Sequence, residues 1–209
     1  MHPYLIRLGV RPEVQSFFSP FYTAASGDLI FQQGVYLEHF GMGFHRLSQG
    51  RDCWLAGEKN LALVSRVFVG ESAMDAIAFL HFQGHTLANW ERSLFVATGA
   101  GLPGARLRWI REQLKGKKLT MLFPGDLPGR IADLKVAAAF RGMPAAASLA
   151  EKERLTVSFR AKEYQFDRET FSLAAFERAA NYRFKVVTQK PKHGASFYEQ
   201  LKAGAFPSI

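Results

Sequence analysis

Two short apolar runs, each closing on a carboxylate and turning at once towards a helix, constrain this chain more than any other feature. Arg66-Val67-Phe68-Val69-Gly70 runs directly into Glu71-Ser72-Ala73-Met74-Asp75. Leu119-Thr120-Met121-Leu122-Phe123 runs into Pro124-Gly125-Asp126-Leu127-Pro128-Gly129-Arg130. Continuous apolar strands of this length fit a parallel sheet whose two faces are both covered by helices. An acid that ends such a strand stands at the carboxyl edge of the sheet, where open α/β folds bind ligands.

Between residues 66 and 142 the pattern predicts strands at 66–70, 93–97 and 118–123, alternating with helices at 72–83, 103–115 and 129–141. Such alternation implies right-handed crossovers, a parallel-sheet α/β core and helices on both of its faces. Residues 1–65 read as a small α+β module. Helical spacing from Pro3 to Phe18 is broken at Gly9 and Pro12, and short strands follow at 28–31 and 38–46. Beyond Gly142 a β-hairpin at 155–166 is expected as an insertion in the 150–170 region. A helix at 171–180, a strand at 182–188 and a closing helix at 197–205 should complete a 66–209 domain.

With 209 residues, 48% hydrophobic and 22% charged, the chain can bury a sizeable core as one domain or two small ones, and wholesale disorder is excluded. Phenylalanine is over-used, with 19 copies against 6 tyrosines, which means either an aromatic-rich core or partly exposed stacking rings. A net charge of +9 favours polyanions or an acidic protein surface as partners. The single cysteine, Cys53, excludes an intramolecular disulfide and a cysteine-based zinc site. The amino terminus lacks the basic and apolar regions of a signal peptide, and no apolar stretch approaches the ~18 residues of a spanning helix. The expectation is a soluble cytoplasmic protein without a membrane partner.

The glutamate after the first core strand, and the Pro124-Gly125-Asp126-Leu127-Pro128-Gly129 element after a later one, resemble the Toprim domain of bacterial primases, topoisomerases and related nucleases. In that family the later element reads Asp-x-Asp-x-x-Gly. Roughly half of the chain is covered. Glu71 takes the position of the family's glutamate, which ligates metal or moves protons, and Asp126 and Gly129 take those of the second aspartate and the glycine. Pro124 stands where the first aspartate belongs, and its ring has no oxygen to offer a hard cation. A further acidic element, expected after a late Pro-Lys run, is also missing: Lys190-Pro191-Lys192-His193-Gly194-Ala195-Ser196 reaches no acid before Glu199. The resemblance therefore implies a catalytically degenerate Toprim-like protein, with no cofactor expected beyond magnesium held weakly by Glu71 and Asp126. Its implied partners are nucleic acid or proteins of replication or mobilisation, as on a mobile element.

Each acid also has a local reading. Glu71 fits an ordinary strand end beside a helix amino terminus, Asp75 stands three after Ser72 as in a capping box, and Asp126 fits a helix cap as well as a metal ligand. Asp133, one turn from Arg130, reads as a solvated or paired charge. Thr98-Gly99-Ala100-Gly101-Leu102-Pro103-Gly104 opens a helix, and Gly99 and Gly101 would let the backbone approach a phosphate. Residues 105–118 carry Arg106, Arg108, Arg111, Lys115, Lys117 and Lys118 against Glu112 alone. With Arg130 they form the candidate nucleic-acid surface, the alternative being a solvated helix face. Two other functions stay open: an active magnesium-dependent nuclease or primase, with Glu71 as catalytic residue, and a protein-interaction module.

Overall fold

A computed structural model describes residues 1–41, 43–149 and 154–205 of the chain. It opens with two short helices, α1 (Pro3–Arg7) and α2 (Pro12–Phe18), each with proline in the first turn, where a missing N–H costs nothing. A four-stranded antiparallel meander follows in chain order: β1 (Thr23–Ala25), β2 (Asp28–Gln33), β3 (Tyr36–Gly41) and β4 (Phe44–Arg46). After β5 (Trp54–Gly57) comes the alternating region: β6 (Arg66–Gly70), α3 (Ala73–Gln83), β7 (Ser93–Ala97), α4 (Gly104–Gln113), β8 (Leu119–Met121) and α5 (Leu127–Phe140). A second antiparallel sheet comprises β9 (Ala145–Leu149), β10 (Arg154–Phe159) and β11 (Lys162–Asp167). Then α6 (Leu173–Ala179), β12 (Val187–Thr188) and α7 (Phe197–Ala205) follow.

The central sheet has the order β12-β8-β6-β7-β5. Its pairs β12–β8, β8–β6 and β6–β7 are parallel, and β5 joins β7 antiparallel. Side-chain alternation along a strand divides the interior in two. Phe68 and Phe95 point into a core shared with α2, α3, α7 and the meander, whereas Val67, Val69, Leu94 and Val96 point into one shared with α4, α5, α6 and the second antiparallel sheet. The fold is thus mixed α/β, with helices on both faces of a mostly parallel sheet. Most phenylalanines are buried or half-buried in these two clusters, and among the described residues Phe44 stands out as 46% exposed.

Three elements depart from the expectations. The central sheet takes β5 from the first 65 residues, so it begins before Arg66. β9, an Ala-Ala-Ala-Ser-Leu segment of low strand propensity, is extended because it pairs with β10 along its whole length. The strand expected at 182–188 shrinks to Val187–Thr188. Asn181 and Lys185 adopt left-handed φ values of 47° and 54°, and between them Phe184 turns into the core, its N–H donating to Glu177 Oε1 at 2.7 Å.

Asp133 is paired, but not with Arg130 and not in solvent: it is 1% exposed and meets Lys190 Nζ at 2.6 Å. The same ammonium donates to the carbonyls of Phe123 (2.8 Å) and Pro124 (3.0 Å), so it ties the chain after β12 to the loop after β8. Burial outweighs the pairing and raises the Asp133 carboxyl from 3.8 to about 6. Lys190→Met leaves that acid without its cation and should destabilise the fold by about 2–3 kcal/mol at pH 8. At pH 5 most Asp133 is already protonated in the native protein, so the loss should shrink. Urea denaturation at both pH values checks this, and an equal loss at each would remove Asp133 from the account.

Candidate functional site at the carboxyl edge of the sheet

The parallel pairing of β8, β6 and β7 sends their three following loops to one edge. Backbone bonds extend the ladder into those loops: Thr98 N–H donates to Gly70 O at 2.9 Å, Gly99 N–H to Glu71 O at 2.8 Å, and Leu122 N–H to Val69 O at 2.7 Å. Glu71 and Asp126 thereby line one cavity of about 200 Å³, together with Gly99, Gly101, Gly129 and Lys135. Pro124 lines it too and supplies no side-chain donor there.

Asp126 caps α5, its Oδ1 accepting from Gly129 N–H at 2.9 Å. Gly129 has a steric reason to be glycine, because a Cβ there would lie 2.2 Å from Pro124 O and 2.8 Å from Pro124 N. The loop after β8 is folded directly over the first turn of the helix. The glycine loop after β7 is used in the same way. Gly99, at φ +70°, would place a Cβ 2.3 Å from Ser48 O, and Ala100 N–H donates to that same carbonyl at 2.8 Å. The N–H groups of Thr98, Gly99 and Ala100 are therefore engaged by backbone carbonyls, which leaves this part of the loop a packing device rather than a phosphate cradle.

Two further acids surround Glu71. Asp75, 4% exposed, does not close the reciprocal capping box expected with Ser72. Ser72 Oγ does accept from Asp75 N–H at 3.0 Å, but the carboxylate reaches across the chain to accept from Tyr198 N–H at 2.8 Å, in the first turn of α7. Glu38, 0% exposed, accepts from Tyr36 Oη (2.7 Å), from Ala73 N–H at the start of α3 (2.7 Å) and from His45 Nε2 (2.9 Å). Sequence reasoning missed Glu38. The signal was present, since alternation puts it on the inward face of β3 between Tyr36 and Phe40.

Burial, with Asp75 and Asp126 nearby and Glu38 behind them, raises the Glu71 carboxyl from 4.5 to about 7. His45 opposes the shift. A half-buried carboxyl that changes charge near neutrality inside a cleft can hold or pass a proton there.

The basic residues separate into two groups. Arg106 is not a surface residue: it is 0% exposed, and its guanidinium donates to Gly101 O (2.9 Å), Ala100 O (3.3 Å) and Gly50 O. Helical spacing carried the warning, because Arg106 shares the face of Ile110 and Leu114, both buried. Lys117 donates to Leu61 O, and Arg130 to Glu169 O (2.6 Å) and Phe171 O (2.9 Å), so both brace neighbouring loops. Arg108 and Arg111 are exposed on α4 as expected, whereas Lys115, also exposed, lies in the turn beyond the end of that helix at Gln113. Lys118, also exposed, lies at the opposite end of the sheet, in a cleft with Arg66 and Lys185. Arg108 and Arg111 line a groove of about 250 Å³ against α5 and β9, and Lys135 lines both this groove and the carboxylate cavity.

The raised carboxyl has a consequence for stability. The folded chain keeps the Glu71 proton up to about pH 7, whereas an unfolded glutamate loses it near 4.5. Between those values the folded state binds more protons, so this group's contribution turns unfavourable as pH rises and is fully unfavourable above 7. Glu71→Gln should therefore stabilise the protein by about 1–2 kcal/mol at pH 8, after allowance for partial solvent screening, and by nearly nothing at pH 4.5. Thermal melts across that range test the sign. Comparison of the chain with protein-family models, with curated proteins and with solved structures finds no match, so the reading of this edge rests on its own geometry.

Proposed function

We propose that this protein binds nucleic acid through a degenerate Toprim-like carboxyl edge, without cutting or synthesising strands. Lys135 is the observation that carries the reading. It joins the groove of Arg108 and Arg111 to the cavity of Glu71 and Asp126, so a phosphodiester backbone lying along the three cations would lead to the acid edge. No carboxylate lines that groove among the described residues, and uncompensated cations in a row attract a polyanion by releasing its counterions.

Degeneracy is supported by the chemistry of the donors. A proline replaces one acid, Asp126 Oδ1 already caps α5, and the Lys190 ammonium is fixed on the carbonyls of Phe123 and Pro124 in the same loop. Magnesium prefers oxygen ligands in an octahedron, and a site with so few acids leaves most of its shell to water. The second reading, a magnesium-dependent phosphoryl-transfer enzyme, is favoured by one feature: the Glu71 carboxyl near 7 has the affinity wanted of a general base. No helix among the described residues is long and apolar enough to cross a membrane. A cytoplasmic setting among replication or mobilisation proteins accords with the resemblance.

Reversing Arg108, Arg111 and Lys135 together to glutamate should weaken DNA or RNA binding and flatten the dependence of log K on log salt by about 2–3. Fluorescence anisotropy over a salt series measures it, and an unchanged slope would leave the groove a solvated face. Pro124→Asp should bind magnesium or manganese more tightly than the native chain in calorimetric titration. Stoichiometric tight binding by the native chain, lost in Asp126→Ala and accompanied by strand nicking, would promote the enzyme reading instead.

A further inference from the structure

One large cleft shares no lining residue with the cavity of Glu71 and Asp126. It lies between α1, the β3–β4 hairpin and α7, measures about 390 Å³, and is walled by Tyr4, Phe40, Phe44 and Tyr198. That volume falls within the range of small-ligand sites, about 300–1,000 Å³. Arg7 and Lys202, both exposed, also line it. His45 completes it, and the hydrogen bond from His45 to Glu38 places the cleft beside the carboxylates that act on Glu71.

The wall is pre-assembled. The Tyr4 and Tyr198 hydroxyls share a 2.7 Å hydrogen bond, and the Phe40 ring packs 5.3 Å from Tyr4 and 4.8 Å edge-on from Tyr198, centroid to centroid. Phe40 is buried, but Phe44 keeps 46% of its surface open although it is a large apolar ring. A partly open aromatic ring in a cleft suits a flat π-system, and the Arg7 guanidinium lies over the Tyr4 ring at 5.6 Å from its centroid. The charge of the rim decides which kind. A cage for an ammonium group would need acids at the mouth, whereas Arg7 and Lys202 favour an anion attached to the ring. A nucleobase with its phosphate has both parts. Inside a duplex each base is stacked on both faces and paired along its edge, whereas an unpaired nucleotide can turn its base into a cleft.

We propose that this cleft holds an unpaired nucleotide of a single-stranded nucleic acid, its base against Phe44 and the tyrosine wall and its phosphate between Arg7 and Lys202. The proposal rests on the nucleic-acid reading given above and adds a preference for single strands to it.

Binding of a fluorescein-labelled twelve-nucleotide oligo(dT) and of a twelve-base-pair duplex to the whole chain tests it. The native protein should prefer the single strand. Phe44→Ala should lose roughly tenfold of single-strand affinity and little for duplex, in line with stacking energies for one base. Phe44→Tyr should retain the affinity, and Arg7→Gln with Lys202→Gln should lower it and reduce the salt slope. A 5-iodouracil oligonucleotide should crosslink to Phe44 or Tyr198. Circular dichroism confirms the fold of each variant, and any variant that fails to fold is replaced by Phe44→Leu, which keeps apolar bulk without a π-face and carries the same expectation. If the native chain binds both nucleic acids but Phe44→Ala and Phe44→Leu leave single-strand affinity unchanged, the cleft proposal is overturned and the groove reading stands. Binding of neither by the native chain overturns both. Competition at equal affinity by thymidine monophosphate, or by a polyglutamate peptide, overturns a strand as the occupant.

Discussion

A carboxylate taken out of water is stable only where hydrogen-bond donors replace its hydration, and the start of a helix supplies unused N–H donors with a favourable dipole. This protein uses that match at one edge of its sheet for two buried acids, Glu38 and Asp75, and an exposed one, Asp126, also sits on a helix start. Glu38 accepts from the N–H of the first residue of α3, Asp75 from that of the second residue of α7, and Asp126 from that of the third residue of α5. Two of these contacts are long-range, joining residues 35 and 123 positions apart. They fasten the amino-terminal meander and the last helix to the same end of α3. Without them the two aromatic clusters would still bury apolar surface, but the loops that build the cavity would lack fixed ends.

Satisfying three acids in this way concentrates negative charge around a fourth. Glu71 has no helix N–H of its own, and it carries the electrostatic consequence as a carboxyl raised to about 7. The strain of the site is thus electrostatic and local. Opposite it, Lys190 does for the β8 loop what the helix starts do for the acids. It satisfies two carbonyls and the buried Asp133 at once. The result is a cleft with acids on one side and, through Lys135, a basic groove on the other. A polyanion could approach along the cations and meet an edge whose charge depends on a single proton.

Much of this was legible in the residues. The runs ending at Glu71 and Asp126 announce parallel strands with acids at their carboxyl ends, because apolar continuity and an immediate helix signal are local properties. Asp126 as a cap belongs to the same local grammar, whereas the close approach of Pro124 to Gly129 is a feature of the folded loop. Arg108 and Arg111 follow from helical spacing and from an excess of basic over acidic residues in that segment. Arg106 shows the limit of charge counting. It is as basic as its neighbours, yet its place on the Ile110–Leu114 face buries it under three carbonyls.

What sequence alone determined, then, is the alternation of strand and helix, the periodicity that assigns residues to faces, and the edge to which Glu71 and Asp126 belong. Tertiary structure alone decided the rest. It drew β5 into the sheet and made a strand of the alanine-rich β9, because strand pairing is a contact between distant segments that propensity does not encode. It gave Asp75 a partner in α7 that no local motif supplies, since a buried acid takes the donors that packing brings near. And it brought Tyr4, Phe44 and Tyr198 to one cleft from three separate parts of the chain, a proximity created by folding and marked by no motif.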